Sequence, residues 1–402
     1  MISYDQALTF LLERARPVTE TEWLGISAAL GRVLARPVVS GVDVPPWDNS
    51  AMDGYAVRSA DVPAVGEACL PVSQRVPAGS VGARLDLGTA ARIFTGAPMP
   101  TGADTVVVQE ACREEGGKVF FHGPVQAGEN VRPRGNDIAA GAQVLAAGTR
   151  MRPQEMGLAA SVGAAQIAVS RRLRVALFAT GDELVDPGDR LEPGQIYNSN
   201  RYTLLGLLRG LGCEVEDLGT IADDYVCTRD GIVRAAEGND VLVTSGGVSV
   251  GEEDHVKRVL RDLGRLDLWQ VRIKPGKPLA YGSVGAMDFL GVPGNPVSAL
   301  VTFVLLVRPF LLARMGADAV LPRRHRVLSG FRWARRGERR EFLRARLETG
   351  EDGVPRATLF PRQGSDVLTS VAWADGLVEV PEGDTVETGD WVSYVSFSDL
   401  LA

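Results

Sequence analysis

The spacing of apolar positions predicts a helix at the start of the chain. From Asp5 to Leu12 apolar residues recur with helical spacing. Ser3, with Gln6 three residues later, resembles a capping box, and Pro17 ends the pattern. A second short helix is predicted over residues 28–35.

The next part of the chain changes to β-type patterning. Two prolines, Pro45 and Pro46, forbid regular structure and indicate a boundary near residue 45. Residues 55–145 are punctuated by glycine and proline and predict a small β domain. Its clearest strands are Ala91–Phe94, Thr105–Val108 and Lys118–Phe121. A short helix beginning at Pro153 and a strand over Gln166–Val169 are predicted next.

From Arg174 to about Gly316, strands alternate with amphipathic helices. The predicted strands are Arg174–Ala179, Glu214–Thr220, Val241–Thr244, Asp267–Ile273, Leu279–Gly282 and Asp288–Gly291. The predicted helices are Asn200–Leu211, Cys227–Ala236, Glu253–Leu263 and Pro296–Met315. Such alternation indicates a largely parallel sheet covered on both faces, whose ligands bind at the carboxyl ends of the strands.

The fold class that follows is multidomain, α/β plus β. The chain has 402 residues, which is enough for two to four domains at about 150 residues each. We expect an elongated linking domain from residues 1–45 with 140–170, a small β domain over 46–139, an α/β domain over 171–320, and a C-terminal β barrel or sandwich over 321–402.

Composition and charge exclude several classes of protein. Hydrophobic residues make up 45% and charged residues 23%, as in soluble globular proteins. The net charge of −7 disfavours nucleic acid and anionic membranes as partners. The four cysteines include no C-x-x-C pair, so neither a disulfide framework nor a Cys-rich zinc site is indicated and a cytoplasmic location is expected. The N-terminus lacks a signal-peptide pattern, and the longest apolar stretch, Ala299–Val307, predicts a buried helix.

A glycine-containing turn is the first candidate for ligand binding. Ser245, Gly246, Gly247 and Ser249 follow a predicted strand and precede a predicted helix. Backbone N–H groups at such a turn can bind a phosphate, and the helix dipole adds to the attraction. A tight turn without a ligand is the alternative, because the sequence matches neither a Walker A loop nor G-x-G-x-x-G.

Carboxylates collect at the same predicted edge. They are Asp182, Glu183, Asp223, Asp224 and Asp254. Together they favour Mg²⁺ bridging to a phosphate, because Mg²⁺ prefers carboxylate oxygens and retains waters. Each acid taken singly could instead be a helix cap or a solvated charge.

Basic residues provide a second kind of candidate. Lys274 and Lys277 lie on a loop fixed by proline and glycine, which suits an oxyanion, although a solvated basic turn is the alternative. Arg344 and Arg346 share one strand face and Ser365 lies on a separate loop, with a solvated face as the alternative there. His122, His255 and His325 are isolated, which argues against histidine metal ligation or a Ser-His-Asp triad.

Six motifs in order give the chain a family resemblance. They are Pro45 to Ala56 (PPWDNSAMDGYA), Arg92 to Ala97 (RIFTGA), Thr180 to Leu184 (TGDEL), Ser245 to Gly251 (SGGVSVG), Ile273 to Pro278 (IKPGKP) and Pro293 to Pro296 (PGNP). With them the chain resembles the molybdopterin molybdenumtransferases, the family of MoeA and the gephyrin E domain. The resemblance implies a MogA/MoaB-like molybdopterin-binding α/β domain and a C-terminal β-barrel.

The resemblance also implies an activity and a set of site residues. The activity is insertion of molybdate into adenylylated molybdopterin, with Mg²⁺-dependent release of AMP. The residues that match oxyanion ligands of the family are Lys274, Lys277, Arg344 and Ser365. Asp223 and Asp254 match acids that hold Mg²⁺ or act in hydrolysis. Further matches to functional or binding positions are Glu183, Asp182, Asp53, Thr95, Asp137, Pro293, Asn295 and Pro296.

The positions in the β domain also imply an assembly. Asp53, Thr95 and Asp137 are far in sequence from the α/β domain, so we expect them to reach the site of a second subunit in a homodimer. Molybdopterin adenylyltransferase and downstream molybdenum-cofactor proteins are the expected protein partners. One departure is Gln270, where some relatives have lysine, which removes an anion contact expected there.

Two other functions compete with this interpretation. A molybdopterin adenylyltransferase has a similar α/β domain, but the N-terminal motif and the C-terminal β domain argue against it. A non-enzymatic scaffold of the gephyrin type is the second alternative, and the chain has no long Pro/Ser linker to serve as a tether.

Overall fold

The computed structural model describes residues 1–247, 255–350 and 352–401. The helices in these ranges are α1 (Tyr4–Arg14), α2 (Pro153–Ser161), α3 (Ser199–Gly210), α4 (Tyr225–Ala236), α5 (His255–Leu263), α6 (Pro296–Thr302), α7 (Arg308–Arg314), α8 (Thr369–Trp373) and α9 (Phe397–Leu401). The predicted capping box is confirmed, because Ser3 Oγ accepts from the Gln6 N–H and Gln6 Oε1 accepts from the Ser3 N–H.

The strands fall into three groups along the chain. The N-terminal group is β1 (Thr21–Gly25), β2 (Val38–Val39), β3 (Asn49–Ser50), β4 (Gly54–Val57), β5 (Glu67–Val76), β6 (Ala90–Ile93), β7 (Thr105–Val108), β8 (Arg113–Glu115), β9 (Lys118–His122), β10 (Val131–Arg132), β11 (Gln143–Leu145) and β12 (Gln166–Ser170). The middle group is β13 (Arg174–Thr180), β14 (Leu184–Val185), β15 (Ile196–Tyr197), β16 (Glu214–Ile221), β17 (Val241–Ser245), β18 (Arg265–Gln270), β19 (Ile273–Lys274), β20 (Pro278–Val284) and β21 (Met287–Val292). The last group is β22 (His325–Ser329), β23 (Arg340–Thr349), β24 (Pro355–Leu359), β25 (Gly376–Val380) and β26 (Trp391–Ser396).

The middle group forms the predicted α/β sheet. Its strand order is β16-β13-β17-β21-β20-β18, parallel from β16 to β21 and antiparallel through β20 and β18. One face packs against α1, α3, α6 and α7, and the other against α4 and α5. The sheet is therefore covered on both faces, and its parallel strands end at one common edge.

The C-terminal strands close into a barrel. The order β23-β24-β22-β26-β25 closes because β25 also pairs with β23. Strand β19 joins this barrel by pairing in parallel with β23, with Lys274 opposite Glu341. The barrel is thereby hydrogen-bonded to the segment that connects β18 to β20 of the α/β sheet.

The N-terminal β domain has a six-stranded sheet of order β7-β4-β6-β5-β9-β8. The linking region pairs β1 with β12 and β2 with β11 around its own apolar cluster. Helix α1 packs elsewhere, since the ring of Tyr4 lies 5.6 Å from that of Phe342 in the barrel. The domain boundaries expected from the sequence stay predictions.

Two predicted elements are wrong. Residues 28–35 are not a helix, because Gly31 has a φ of 74° and Val33 and Leu34 form isolated β-bridges instead. The predicted strand Asp267–Ile273 is two strands, β18 and β19, which belong to different sheets. Apolar patterning could not show this division, because apolar and polar residues alternate across both strands and do not report which sheet each strand joins.

The long apolar helix predicted near residue 300 is confirmed as a buried element. A π-type turn over Phe303–Val307 joins α6 to α7. The run Pro296–Arg314 is long and apolar enough to cross a bilayer, with a mean hydropathy of 2.0, but 89% of its most apolar window is buried inside the protein. It packs as the core helix of the α/β domain.

Candidate active site

A cavity of about 610 Å³ lies at the common edge of the parallel sheet. Thr180 ends β13, Ser245 ends β17, and Pro293 follows β21, and all three line the cavity. The 274–278 loop and the 363–365 loop of the barrel form the opposite walls. The cavity is therefore built between the α/β sheet and the barrel, where ligands of such sheets bind.

The turn after β17 requires its glycines. Gly246 and Gly247 have φ values of 88° and 63°. A Cβ on Gly246 would lie 2.6 Å from the carbonyl oxygen of Thr180. The hydroxyl of Thr180 is buried and has no hydrogen-bond partner among the described residues. Main chain and one unpaired hydroxyl thus form this end of the cavity, which suits a ligand with acceptor oxygens.

Asn200, in the first turn of α3, was missed in the sequence analysis. Its side chain is buried and lines the cavity. Nδ2 donates to Ser245 Oγ at 2.8 Å and to the carbonyl oxygen of Gly294 at 2.6 Å. Because α3 begins at the carboxyl edge of the sheet, its first polar residues face the ligand, and this was the available signal.

The two lysines of the basic loop differ in their partners. Lys274 Nζ lies 3.3 Å from both carboxylate oxygens of Glu341, which is buried. Lys277 and Arg339 also line the cavity, and in the described ranges neither has an ion pair. Gly276 has a φ of 113°, and because it has no side chain the loop can pack closely against α6. We call these three cationic residues, Lys274, Lys277 and Arg339, the basic wall. Among the described residues, Lys274 is paired with a carboxylate, whereas Lys277 and Arg339 are not.

The barrel contributes Ser365, while Arg344 lies behind it. Ser365 lines the cavity and its carbonyl oxygen accepts from the Val297 N–H at 3.0 Å. Arg344 was expected to bind the oxyanion, but its side chain is fully buried and does not line the cavity. It donates to Ser370 Oγ and to the carbonyl oxygen of Gly364, both at 3.0 Å.

The charge of Arg344 nevertheless lies directly behind a residue of the cavity, because its guanidinium donates to Gly364, which lines it. Burial lowers the pKa of its guanidinium to about 10, and no carboxylate among the described residues forms a salt bridge with it. Gln363 binds the main chain of the same residue twice, at 2.9 Å each way. Arg344 therefore supports the 363–365 loop and adds positive potential behind it.

The acids at the sheet edge separate into two positions. Glu183 lines the cavity. Asp182 and Asp223 do not line it and are joined to each other, with the Asp223 N–H donating to Asp182 Oδ1 at 3.2 Å. Asp224 caps α4 by accepting from the Cys227 N–H at 2.8 Å. Ser249 and Asp254 lie outside the described residues.

The motif after β21 opens α6. Pro293 and Asn295 line the cavity, and Asn295 is the N-cap residue. Pro296 is the first residue of α6 and is not among the residues that line the cavity. Gln270 also lies away from the cavity, and its carbonyl oxygen accepts from the Ile2 N–H.

The predicted site residues of the β domain form a separate group. Asp53 Oδ1 accepts from both the N–H and the hydroxyl of Thr95 at 2.8 Å, which lowers the pKa of Asp53. The Asp137 N–H donates to the carbonyl oxygen of Val44. None of the three lines the cavity of its own chain.

Three family models match successive parts of the chain. Residues 2–163 match the MoeA N-terminal region (domain I and II). Residues 176–313 match a probable molybdopterin binding domain, and residues 326–397 match the MoeA C-terminal region (domain IV). The order of these matches follows the order of the three strand groups.

Whole-chain comparisons agree with the family models. The molybdopterin molybdenumtransferase of Haemophilus influenzae is 36% identical over 405 residues, covering 100% of both chains. That of Nostoc sp. is 43% identical over 300 residues, covering 73% of this chain and 69% of the relative. The crystal structure of the molybdopterin biosynthesis MoeA protein from Pyrococcus horikoshii OT3 is 28% identical, with a TM-score of 0.83 over 98% of this chain and 100% of that one. The chain therefore belongs to the MoeA family, the molybdopterin molybdenumtransferases.

Proposed function

We propose that this chain inserts molybdate into adenylylated molybdopterin and releases AMP in an Mg²⁺-dependent step. Family membership carries the coarser part, that the chain is a transferase of molybdenum cofactor biosynthesis. The single observation that supports the finer part is the cavity, with a glycine turn at one end and uncompensated cations at the other. The glycine turn suits the phosphates of the pterin substrate, and the basic wall suits a dianion.

The residues of the basic wall and Ser365 of the barrel would have separate roles in oxyanion binding. Lys277 and Arg339 supply uncompensated charge, and Ser365 supplies a hydroxyl donor. Lys274 supplies an ammonium that Glu341 holds in place. A tetrahedral dianion takes several donors from different directions, and these residues approach from the basic loop and from the barrel.

Mg²⁺ fits the acids beside the glycine turn. Asp182 and Asp223 are carboxylates at neighbouring strand ends, and carboxylate oxygens are what Mg²⁺ prefers. The described residues contain no group of three metal-binding side chains, and Asp254, the third acid expected here, lies outside them. Bound Mg²⁺ would neutralise phosphate charge. Glu183, with Asp254 by its match to the family, would orient or deprotonate a water whose oxygen attacks the adenylyl phosphorus, so that the phosphoanhydride bond breaks and AMP leaves.

We also propose a homodimer in which each cavity is completed by the other chain. Asp53, Thr95 and Asp137 match functional positions of the family but do not line the cavity of their own chain. Exposed apolar side chains suggest buried contacts in an assembly. On the N-terminal region they include Trp23, Leu30, Val39, Val42, Trp47 and Met52.

A cytoplasmic location and two kinds of protein partner complete the proposal. All four cysteines are free thiols, which suits a reducing compartment. Because the substrate is an adenylylated pterin, the enzyme that adenylylates it is one expected partner. Proteins that receive the finished cofactor are the other.

One experiment tests the activity against its alternatives. Purified protein is mixed with adenylylated molybdopterin, Mg²⁺ and molybdate, and AMP is followed by chromatography. Molybdate-stimulated AMP release supports the proposal. Formation of adenylylated molybdopterin from molybdopterin and ATP would instead support an adenylyltransferase. Absence of both reactions, with stable protein partners in a pull-down, would support a scaffold.

A further inference from the structure

A loop segment crosses one side of the cavity. Residues 181–198, which we call the arch, connect the end of β13 to the start of α3. The arch pairs with itself, since Leu184 lies opposite Ile196 in a two-stranded ladder. Glu183, Leu184 and Ile196 of the arch line the cavity. The position of the arch therefore decides where this wall of the cavity stands.

A single guanidinium ties the middle of the arch to the sheet. Arg201 Nη1 lies 2.9 and 2.7 Å from the two carboxylate oxygens of Asp186, which is in the arch. Nε of the same side chain donates to Asp217 Oδ1 at 2.9 Å, and Nη2 donates to Asp217 Oδ2 at 3.1 Å. Asp217 belongs to β16, the edge strand of the sheet. The hydrogen bonds that Arg201 donates to Asp217, and then those to Asp186, raise the pKa of Arg201.

Helix α3, which carries Arg201, is itself hydrogen-bonded to residues that line the cavity. Asn198, the last residue of the arch and the N-cap of α3, accepts from the Arg201 N–H at 3.1 Å and donates to Thr220 Oγ1 at 3.0 Å, so this end of the arch is fixed together with α3. Asn200 binds Ser245 and Gly294, as described above. Because α3 cannot move without breaking these bonds, Arg201 is a fixed anchor and the arch is the part that it positions.

We propose that Arg201 is a positioning residue for the pterin substrate: through Asp186 it holds the arch so that Glu183 and Ile196 face adenylylated molybdopterin. The inference rests on the proposed function for the identity of the substrate. It assigns the molybdate end of the cavity to other elements, since the arch does not include Lys274, Lys277 or Ser365. Loss of the hydrogen bonds that join Asp186 to Arg201 should therefore lower kcat/KM for the pterin substrate and leave the KM for molybdate nearly unchanged.

Trypsin provides a direct readout of the arch. Arg190 is exposed on it and is followed by Leu191, which is 38% exposed. Cleavage at this bond, mapped by mass spectrometry, reports how often the arch opens. In R201A and D186N we expect cleavage about tenfold faster than in the wild type, and kcat/KM for adenylylated molybdopterin about tenfold lower. The KM for molybdate should stay within about twofold of the wild-type value.

Two variants separate positioning from general destabilisation. R201K keeps the charge but cannot form the same fork, so it should recover part of the loss. R234A is the matched control, because Arg234 pairs with Glu216 on the same strand, 3.2 Å away, from α4 and not from α3. R234A should match the wild type in cleavage at Arg190 and in both kinetic constants.

Binding gives a readout that does not depend on turnover. Adenylylated molybdopterin should slow cleavage at Arg190 in the wild type, and R201A should need about tenfold more of it for the same protection. A protein that is protected but releases no AMP would refute the proposed function and leave this inference standing. Wild-type cleavage and wild-type kcat/KM in R201A would overturn it, as would faster cleavage with unchanged kcat/KM.

Discussion

Lys274 and Glu341 form an ion pair where the basic loop meets the barrel. Nζ lies 3.3 Å from both carboxylate oxygens, and the side chains are 35% and 6% exposed. The two residues are also opposite each other in the short parallel ladder between β19 and β23. Lys277, three positions later, lines the same cavity but is exposed. The pair therefore gives two lysines of one motif different physical roles.

The first prediction separates these roles by stability. K274A leaves the buried Glu341 carboxylate without its partner and should lower the free energy of unfolding by about 1–3 kcal/mol. K277A removes an exposed charge and should change it by less than about 0.5 kcal/mol. Urea unfolding of both variants measures this. The double variant K274A/E341Q should recover part of the loss, and equal stabilities of K274A and K277A would refute the distinction.

K274A and K277A should depend on the molybdate concentration in the same way. Each removes one charge-assisted contact to the dianion, so the molybdate concentration for half-maximal AMP release should rise about tenfold or more. Binding of the adenylylated pterin should be retained, because the glycine turn is intact. High molybdate should restore activity at least partly. Lost pterin binding with an unchanged molybdate dependence would assign the lysines to the organic substrate.

How far the sequence predicts this fold depends on how local each signal is. The capping box of Ser3 and the helix at Pro296 depend on neighbouring residues, and both are as expected. The division of β18 from β19 depends on which sheet each strand joins, and no local pattern reports that. The helix predicted over residues 28–35 does not form because Gly31 adopts a positive φ, and the composition of the segment did not reveal this.

The candidate site shows the same division. Segments carrying Glu183, Ser245, Lys277 and Ser365 are far apart in sequence, and the strand-end rule together with the resemblance predicted residues that now share one cavity. The role of Arg344 could not be predicted, because Ser370 of α8 and Gly364 of the 363–365 loop are brought onto its guanidinium only by tertiary packing. Asn200 was missed because a lone asparagine at a helix start is ordinary in sequence.

The position of Arg344 leads to a second prediction. R344K keeps the positive charge but cannot bond both Ser370 and Gly364, so it should lower the free energy of unfolding by about 1–3 kcal/mol. Because the 363–365 loop carries Ser365 into the cavity, the KM for molybdate should also rise. R346K is the matched control on the same strand: Arg346 binds the Trp373 carbonyl oxygen of α8 and not the 363–365 loop, so this variant should lower stability without raising the KM for molybdate. If R344K were as stable as the wild type and impaired only with molybdate, direct contact with the oxyanion would be favoured over support of the loop.

The glycine turn allows a third prediction. G246A places a Cβ 2.6 Å from the Thr180 carbonyl oxygen at a residue with a φ of 88°, so the turn must shift. Binding of adenylylated molybdopterin, measured by equilibrium dialysis, should fall about tenfold or more. G238A is the control, because a Cβ there meets no heavy atom within 4 Å. Equal affinities of the two variants would place the phosphates elsewhere.

The acids beside the turn carry a fourth prediction. D223N and D254N should each suppress Mg²⁺-dependent AMP release by about a hundredfold while leaving the melting temperature nearly unchanged, since Asp223 is exposed on a loop. D224A tests specificity: it removes the side chain that caps α4 and should lower the free energy of unfolding by about 1 kcal/mol without suppressing catalysis. Titration of Mg²⁺ against the rate checks whether the loss can be offset by more metal. Wild-type AMP release by both variants would remove these residues from the reaction.

The last prediction concerns the second subunit. Asp53 and Thr95 are hydrogen-bonded to each other on the β domain and do not line the cavity of their own chain, and in the proposed homodimer they act at the cavity of the other chain. Co-expression of a D53A chain with a D254A chain should therefore restore partial activity, because a mixed dimer has one site that holds both intact carboxylates. Two affinity tags, purified in sequence, isolate the mixed dimer for the AMP-release assay. The expected recovery is up to about half of the wild-type rate per dimer, since one site in two is complete. A purified mixed dimer no more active than either single variant would show that each site is built within one chain.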